Sequence, residues 1–258
     1  MIVGDILDAE KVKKATRGCN YAYNYAGIAD LDDATTKSLD TVRLNVIGNL
    51  HIMDAALKAR CRRFIYASSI YVYSEKGGFY RCSKQAAELY IEEYQRRFGL
   101  EFTVLRYSTL YGPRADERNS IHRFLTQALT RGVIEDPGSG EEVRDYVHVR
   151  DAAQLSLEIL GDPYRNKHII ASGHHPIKFK EMFLLVKEIL GREIKVKYRG
   201  KGFSAHYNFT PYSFTPKIGH KLTNHLYLDI GQGLLECLNE IDTFSRASAS
   251  LDSKKGRL

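Results

Sequence analysis

The chain has 258 residues, 43% hydrophobic and 27% charged, which is the balance of a soluble globular protein and excludes disorder along its whole length. With 38 Lys and Arg against 31 Asp and Glu, the net charge is +7, a mild excess that suits phosphorylated ligands without singling out nucleic acid. No apolar run approaches the roughly 20 residues of a membrane span, and the opening MIVGDILDAEKVKK is too acidic for a signal peptide, so a cytoplasmic protein with no membrane partner is expected.

At roughly 150 residues per domain, the length allows one large domain or two modest ones. The front half alternates short apolar runs with amphipathic stretches, the pattern of βαβ units and a parallel sheet. Ile2-Val3 reads as strand, Asn20 to Ala26 as the next strand, and Leu39 to Ala59 as a helix with Val42, Val46, Leu50, Met53 and Leu57 at helical spacing. Phe64 to Ala67 is again strand. Gln85 to Phe98 is rich in helix formers and stops at Gly99, as a glycine just past a helix end predicts. Phe102 to Tyr107 closes this half as strand.

The back half is less regular. After the turn signal Tyr111-Gly112-Pro113-Arg114, helices are expected over Ser120 to Thr130, Asp151 to Leu160 and Lys180 to Leu190. Strands are expected at Val143 to Val149 and, at an edge, Ile194 to Tyr198. From Asp242 the chain turns polar and reads as a disordered tail. Cys19, Cys61, Cys82 and Cys237 are scattered with no CxxC pair, and His174-His175-Pro176 reads as a turn, so no metal is expected. Arg60, Arg62 and Arg63 follow a helix, where basic residues suit its C-terminal dipole better than a nucleic-acid site.

The chemistry centres on Tyr80 and Lys84, a YxxxK pair. The i, i+4 spacing puts both on one helical face, where a lysine cation lowers the phenol pKa and lets the tyrosine act as acid or base. With 17 tyrosines in the chain, chance alone supplies about one such pair. Context strengthens it: Ser68-Ser69 follows the strand FIYA at its carboxyl end, where ligands gather in open α/β sheets.

Several ordered motifs together resemble the extended short-chain dehydrogenase/reductase family, the NAD-dependent sugar-nucleotide epimerases and dehydratases. Gly4-Asp5-Ile6 resembles the GD[IL] element whose aspartate contacts adenine, and Asn24-Tyr25-Ala26-Gly27 the strand end that lines the cofactor. Asn45 with Gly48 is similar to NxxGT, Ser68 to Tyr73 to SSxxVY, Leu105 to Arg114 to LRYxNxYGP, and Arg144 to Val149 to RDYVHV. The resemblance implies Ser69, Tyr80, Lys84 and Asn45 as catalytic residues. It implies Asp5, Ile6, Tyr25, Ala26, Gly27, Lys84 and Tyr107 around NAD, with NADP left open. Ser68, Ser69, Thr109, Asn119 and Arg144 are implied around a nucleotide-linked sugar, the arginine gripping its diphosphate. It further implies a homodimer built on the helices Leu39 to Ala59 and Tyr80 to Phe98.

The implied fold is an N-terminally truncated Rossmann-like doubly wound parallel sheet with a smaller mixed α/β substrate-binding region. Residues 1–112 belong to the cofactor domain and 113–241 mainly to the substrate region, segments near 143–172 return to the sheet, and 242–258 form the tail. The truncation is expected because no GxxGxxG turn precedes the matched motifs. Gly200 to Ala205 fits GxGxxA, but Pro211 and Pro216 follow where a helix is required, so it reads as a surface loop. Ile70 and Tyr71 stand where dehydratases of the family place Asp and Glu, which favours epimerisation or keto-reduction. Thr109 replaces the asparagine of LRYxN, and Tyr80 follows Ser69 more closely than is usual, both at sugar-facing positions. Without the glycine turn, the competing expectation is a catalytically impaired fragment acting as a binding or dimerising module.

Overall fold

Asp8 opens the first helix by accepting a hydrogen bond from Lys11 N at 3.1 Å, capping α1 (Ala9–Thr16). The computed structural model describes residues 1–200, 220–223 and 227–255, leaving aside the side chains at 32, 33, 35 and 246–255. Ile2 and Val3 lie outside any strand and are exposed, since a dipeptide alongside no ladder gains no backbone pairing. Strand β1 (Tyr21–Asn24) follows, then α2 (Leu31–Thr36) and α3 (Ser38–Val42). The helix expected over 39–59 is interrupted by a π-helical turn, Arg43–Ile47, before α4 (Gly48–Lys58). Such wide turns often mark functional positions, and this one carries the buried Asn45.

Next come β2 (Arg63–Ser69), a 3-10 turn (Ile70–Tyr73) and α5 (Gly78–Phe98), which ends on Gly99 in the left-handed region at φ +70°. Then follow β3 (Phe102–Tyr107), β4 (Thr109–Tyr111), α6 (Ser120–Arg131), β5 (Val133–Asp136), β6 (Val143–His148) and α7 (Val149–Glu158). The last elements are β7 (Lys167–Ala171), β8 (Pro176–Lys178), α8 (Phe179–Leu190), β9 (Lys195–Tyr198), β10 (His220–Leu222) and α9 (Ile230–Lys255). Helix continues through the stretch read as a disordered tail, because no glycine or proline interrupts the run from Leu234 to Lys255. The GxGxxA-like stretch past Gly200 lies outside the described residues.

Two compact units are present. The first takes in Met1–Ser108, Gln154–Ser172 and β10. Its sheet is parallel throughout, in the order β1-β2-β3-β7-β10. A parallel neighbour demands a crossover, and the helices between β1, β2 and β3 provide it. Strand β3 is buried at all six positions, as suits its mainly apolar sequence, with Thr103 and Arg106 buried among the apolar residues. Met53 and Ala56 from α4 and Ala87 and Ile91 from α5 pack with Phe64, Tyr66, Phe102 and Val104 of the sheet. Each large side chain buried there contributes about 1.5–3 kcal/mol.

The second unit takes in Thr109–Ala153 and, among later described residues, 173–200 and 227–255. It holds a three-stranded sheet, β4-β6-β8, and a two-stranded one, β5-β9. The division falls after Ser108 rather than at residue 112, because Thr109 to Tyr111 pair with Tyr146 to His148. Of the segments near 143–172, Lys167–Ala171 joins the parallel sheet, whereas Val143–His148 pairs with β4 and β8. The core of this unit gathers Phe124, Phe179 and Phe183, whose ring centroids are 5.1–6.1 Å apart.

Candidate active site

The site of the first unit grows from the carboxyl end of β2. Ser68 and Ser69 are both buried there, and Ser69 Oγ accepts from Tyr71 N at 3.3 Å, capping the 3-10 turn. That turn brings the Tyr71 ring edge-on to Tyr80 with centroids 6.1 Å apart. Gly77 makes this possible: its φ is +92°, and a Cβ there would lie 2.7 Å from the Tyr71 ring. Helix α5 then presents Tyr80 and Lys84 on one face, both buried.

Lys84 Nζ donates to the carbonyl of Ala67 at 2.7 Å and lies 4.7 Å from the Tyr66 ring centroid and 5.6 Å from that of Tyr80. Burial pulls its pKa down to about 8, against the opposing pull of Glu88. The ammonium therefore sits beside the Tyr80 ring in a dry environment.

Asn45 knits the site from behind. Its Oδ1 accepts from Ile28 N at 2.7 Å, while Nδ2 donates to Ile28 O at 3.0 Å and to Ser83 Oγ at 2.9 Å. Ser83 in turn donates to Tyr80 O at 2.8 Å. The loop after β1 is thus tied to the helix that carries Tyr80. Gly27 enters this loop at φ +148°, and a Cβ on it would fall 2.4 Å from Asn45 Oδ1.

The remaining expected cofactor residues fall into two groups. Tyr107 hydroxyl lies 2.8 Å from Ser156 Oγ and 3.3 Å from Tyr25 hydroxyl, and burial pushes its pKa far above the ordinary phenol value. Tyr25 is exposed and stacks on Tyr23 at 5.9 Å, and Ala26 N donates to Asn24 Oδ1 at 3.0 Å. Before α1, Asp5 Oδ1 accepts from Leu7 N at 2.9 Å. Asp5 and Ile6 line a cleft of about 320 Å³ together with Gly4, Lys11, Thr16 and Tyr21.

Thr109, Asn119 and Arg144 belong to the second unit. Thr109 is half-buried in β4. Asn119 caps α6 by accepting from His122 N at 3.1 Å and donates to Leu110 O at 2.8 Å, so its amide serves the helix start. Arg144 is buried, donates to Val143 O at 3.0 Å and places its guanidinium 5.5 Å from the Phe179 ring centroid. His174 and His175 form a bend, and among the described residues no group of three metal-ligating side chains occurs.

Four residues were not singled out from the sequence: Glu88, Arg106, His168 and Ser156. Glu88 and Arg106 form an ion pair at 2.6 Å with side chains 2% and 1% exposed. Ser68 Oγ donates to Glu88 Oε1 at 2.5 Å. Burial pushes the Glu88 pKa up, but hydrogen bonds from His168 and Arg106 outweigh it and hold the carboxyl at about 2. The available signals were the i+4 spacing of Glu88 from Lys84 and an arginine inside the apolar run FTVLRY.

A family model described as the NAD dependent epimerase/dehydratase family matches residues 1–172, two thirds of the chain. The chain belongs to that family. Epimerase/dehydratase relatives include the UDP-glucuronate 4-epimerase of Thermodesulfobacterium geofontis, 25% identical over 60% of this chain and 52% of the relative. The putative UDP-glucose 4-epimerase of Methanocaldococcus jannaschii is 29% identical over 57% and 53%, and the dTDP-glucose 4,6-dehydratase of Streptomyces antibioticus 30% over 57% and 48%. The chain thus spans about half the length of the curated relatives it matches. Among solved structures, the Bacillus cereus UDP-glucuronic acid 4-epimerase, in complex with UDP-glucuronic acid and NAD, superposes with TM-score 0.81 at 19% identity, covering 93% of this chain and 81% of that one. The UDP-N-acetylglucosamine 4-epimerase of Methanobrevibacter ruminantium gives 0.80 at 22%, covering 93% and 82%. These likenesses establish the Rossmann-like α/β fold of the epimerase/dehydratase family.

Proposed function

We propose that this chain carries the acid–base site of an NAD-dependent epimerase or keto-reductase acting on a nucleotide-linked sugar. One observation carries the reading: the buried Lys84 ammonium stands beside Tyr80 on one helical face, at the strand end that holds Ser69. Bound NAD would accept and return a hydride at a sugar carbon. Tyr80 would take the proton of the hydroxyl on that carbon and give it back. A neighbouring cation favours a charged phenol oxygen over a neutral one, which is the part of Lys84. Ser69 would share a hydrogen bond with the same sugar oxygen, and Asn45 would keep α5 and the loop after β1 in place. Tyr107, its hydroxyl already engaged, would wall the cofactor site with Tyr25, Ala26 and Gly27, while Asp5 and Ile6 would border the adenine end. Arg144 would bind the diphosphate, a role supported by the RDYVHV resemblance alone.

The positions after Ser69 support epimerisation or keto-reduction over dehydration. Ile70 packs against Ile170, and Tyr71 lies against Tyr80, so no carboxyl pair stands there to remove water. Relatives named for UDP- and dTDP-linked sugars support the substrate class. Exposed Leu39, Val42, Leu89 and Phe98 on α3 and α5, with the family resemblance, support a homodimer.

The described residues fit the tyrosine–lysine side of a dinucleotide site, and Gly27 keeps the loop after β1 free of a side chain. No GxxGxxG turn opens a helix among them, and α5 opens on the pair Gly77-Gly78 alone. That observation, with the partial span of the relatives, favours a second reading as a binding or dimerising module. Calorimetric titration of the 258-residue chain with NAD separates the two. Saturable heat and sugar-nucleotide turnover, with Tyr80→Phe abolishing turnover while sparing NAD affinity, is expected. Turnover unchanged in Tyr80→Phe refutes the assigned role, and no heat leaves the module reading.

A further inference from the structure

Helix α5 carries Tyr80, Lys84, Glu88 and Glu92 at intervals of four residues, hence along one face. The first two enter the chemistry above. Glu88 does not, yet it is more deeply buried than either. Its carboxylate is fully engaged. Oε1 accepts from Ser68 Oγ at 2.5 Å and from Arg106 Nε at 3.1 Å. Oε2 accepts from an Arg106 terminal nitrogen at 2.6 Å and lies 3.4 Å from His168 Nδ1. His168 Nε2 is 3.1 Å from Glu92, and Arg106 also donates to the hydroxyl of Tyr73, over whose ring it stacks.

A buried ion pair is weak evidence of stabilisation, since apolar side chains of like volume often do as well. What distinguishes this one is its neighbours. Ser68 directly precedes Ser69, and Lys84 lies one helical turn before Glu88. Lys84 is faced by Tyr66 from β2 and by Tyr80 from its own helix, with Glu88 one turn further along the same face. Glu88 is faced by Ser68 from β2, Arg106 from β3 and His168 from β7, and Tyr73 from the 3-10 turn meets Arg106. A buried ammonium loses its proton readily unless a negative charge answers it.

We propose that Glu88 is a positioning residue for the Tyr80–Lys84 pair, holding the end of β2 to α5 through Ser68 and setting a buried negative charge one helical turn from Lys84. Arg106 neutralises the carboxylate from the far side, so that burial does not protonate it. The inference rests on the roles given above to Tyr80 and Lys84. A carboxylate present only as counter-ion to Arg106 would leave the titration of Lys84 untouched, which separates the two possibilities.

The test titrates Lys84 by NMR in the full chain carrying lysine labelled with 13C at Cε, with Lys84→Arg assigning its signal. It needs neither NAD nor substrate, so failure of cofactor binding or turnover would count against the proposed function alone. In Glu88→Gln the midpoint of Lys84 is expected to fall by about one pH unit or more, the usual effect of removing an opposite charge at close range. Because Glu88→Gln strands a buried guanidinium, the double variant Glu88→Gln/Arg106→Leu is measured beside it, so that the stranded Arg106 charge is removed as well. A fall in the double variant sustains the proposal, and a midpoint unchanged from the parent overturns it.

Discussion

Replacing Gly27 by alanine tests whether the loop after β1 is held as tightly as its contacts imply. At φ +148° a side chain strains the backbone by about 1–3 kcal/mol. The added Cβ also falls 2.4 Å from Asn45 Oδ1, an overlap whose relief by shifting the side chain costs about 1–3 kcal/mol more. Gly27→Ala should therefore lose about 2–6 kcal/mol. Asn45→Ala alone removes three hydrogen bonds and leaves the half-buried Ile28 N and O without their partner, which places the loss at about 1 kcal/mol, the lower end for a stranded group. The two effects share one contact, so they should not add. In the Asn45→Ala background the overlap is gone, and Gly27→Ala should cost only its backbone strain. The assay is urea unfolding of the four chains of this cycle, followed by hydrogen exchange at α5 so that loss is read in the first unit. Costs that add to within experimental error would refute the argument, because they would mean Asn45 does not fill the space beside Gly27.

Two further outcomes are expected. His168 is pushed down by burial, but its hydrogen bonds with Glu88 and Glu92 more than offset this and raise its pKa above the ordinary 6.5. The protonated form is thus favoured in the folded state, with stability fully present below about pH 6.5 and lost as pH rises through the folded value. His168→Gln should flatten that slope in a stability–pH profile, whereas identical slopes would remove His168 from the ion cluster. In the second unit, Phe183 is 1% exposed and packs edge-on to Phe124 at 5.1 Å, so Phe183→Ala should cost about 3–5 kcal/mol in thermal or urea unfolding. A loss below 1 kcal/mol, well under that of a filled core site, would contradict the packing described here.

Much of the site was legible in linear order. YxxxK reads from spacing because a helix repeats its face every four residues, and Ser68-Ser69 reads as a strand end because an apolar run stops there. The pair Tyr80–Lys84 did come together on α5 beside β2. Asn45 was expected to support the site, but its means of doing so depends on a π-helical turn that interrupts an otherwise helical pattern. Tyr107 sits on the expected strand, yet its hydroxyl is engaged by Ser156, 49 residues away. Asn119, expected near substrate, caps the helix that follows it.

Local periodicity determined the alternation of strand and helix between Tyr21 and Tyr107 and the face on which Tyr80 and Lys84 meet. Those properties depend on residues within a turn or two of one another. Only the tertiary structure decided which charges share the core. Glu88 meets Arg106 across 18 residues and His168 approaches from a strand that enters the sheet much later, because β3 and β7 are neighbours in space and not in sequence. No local pattern encodes strand order, so an arginine in an apolar strand and a glutamate one turn beyond a lysine remain separate facts until the sheet places them together.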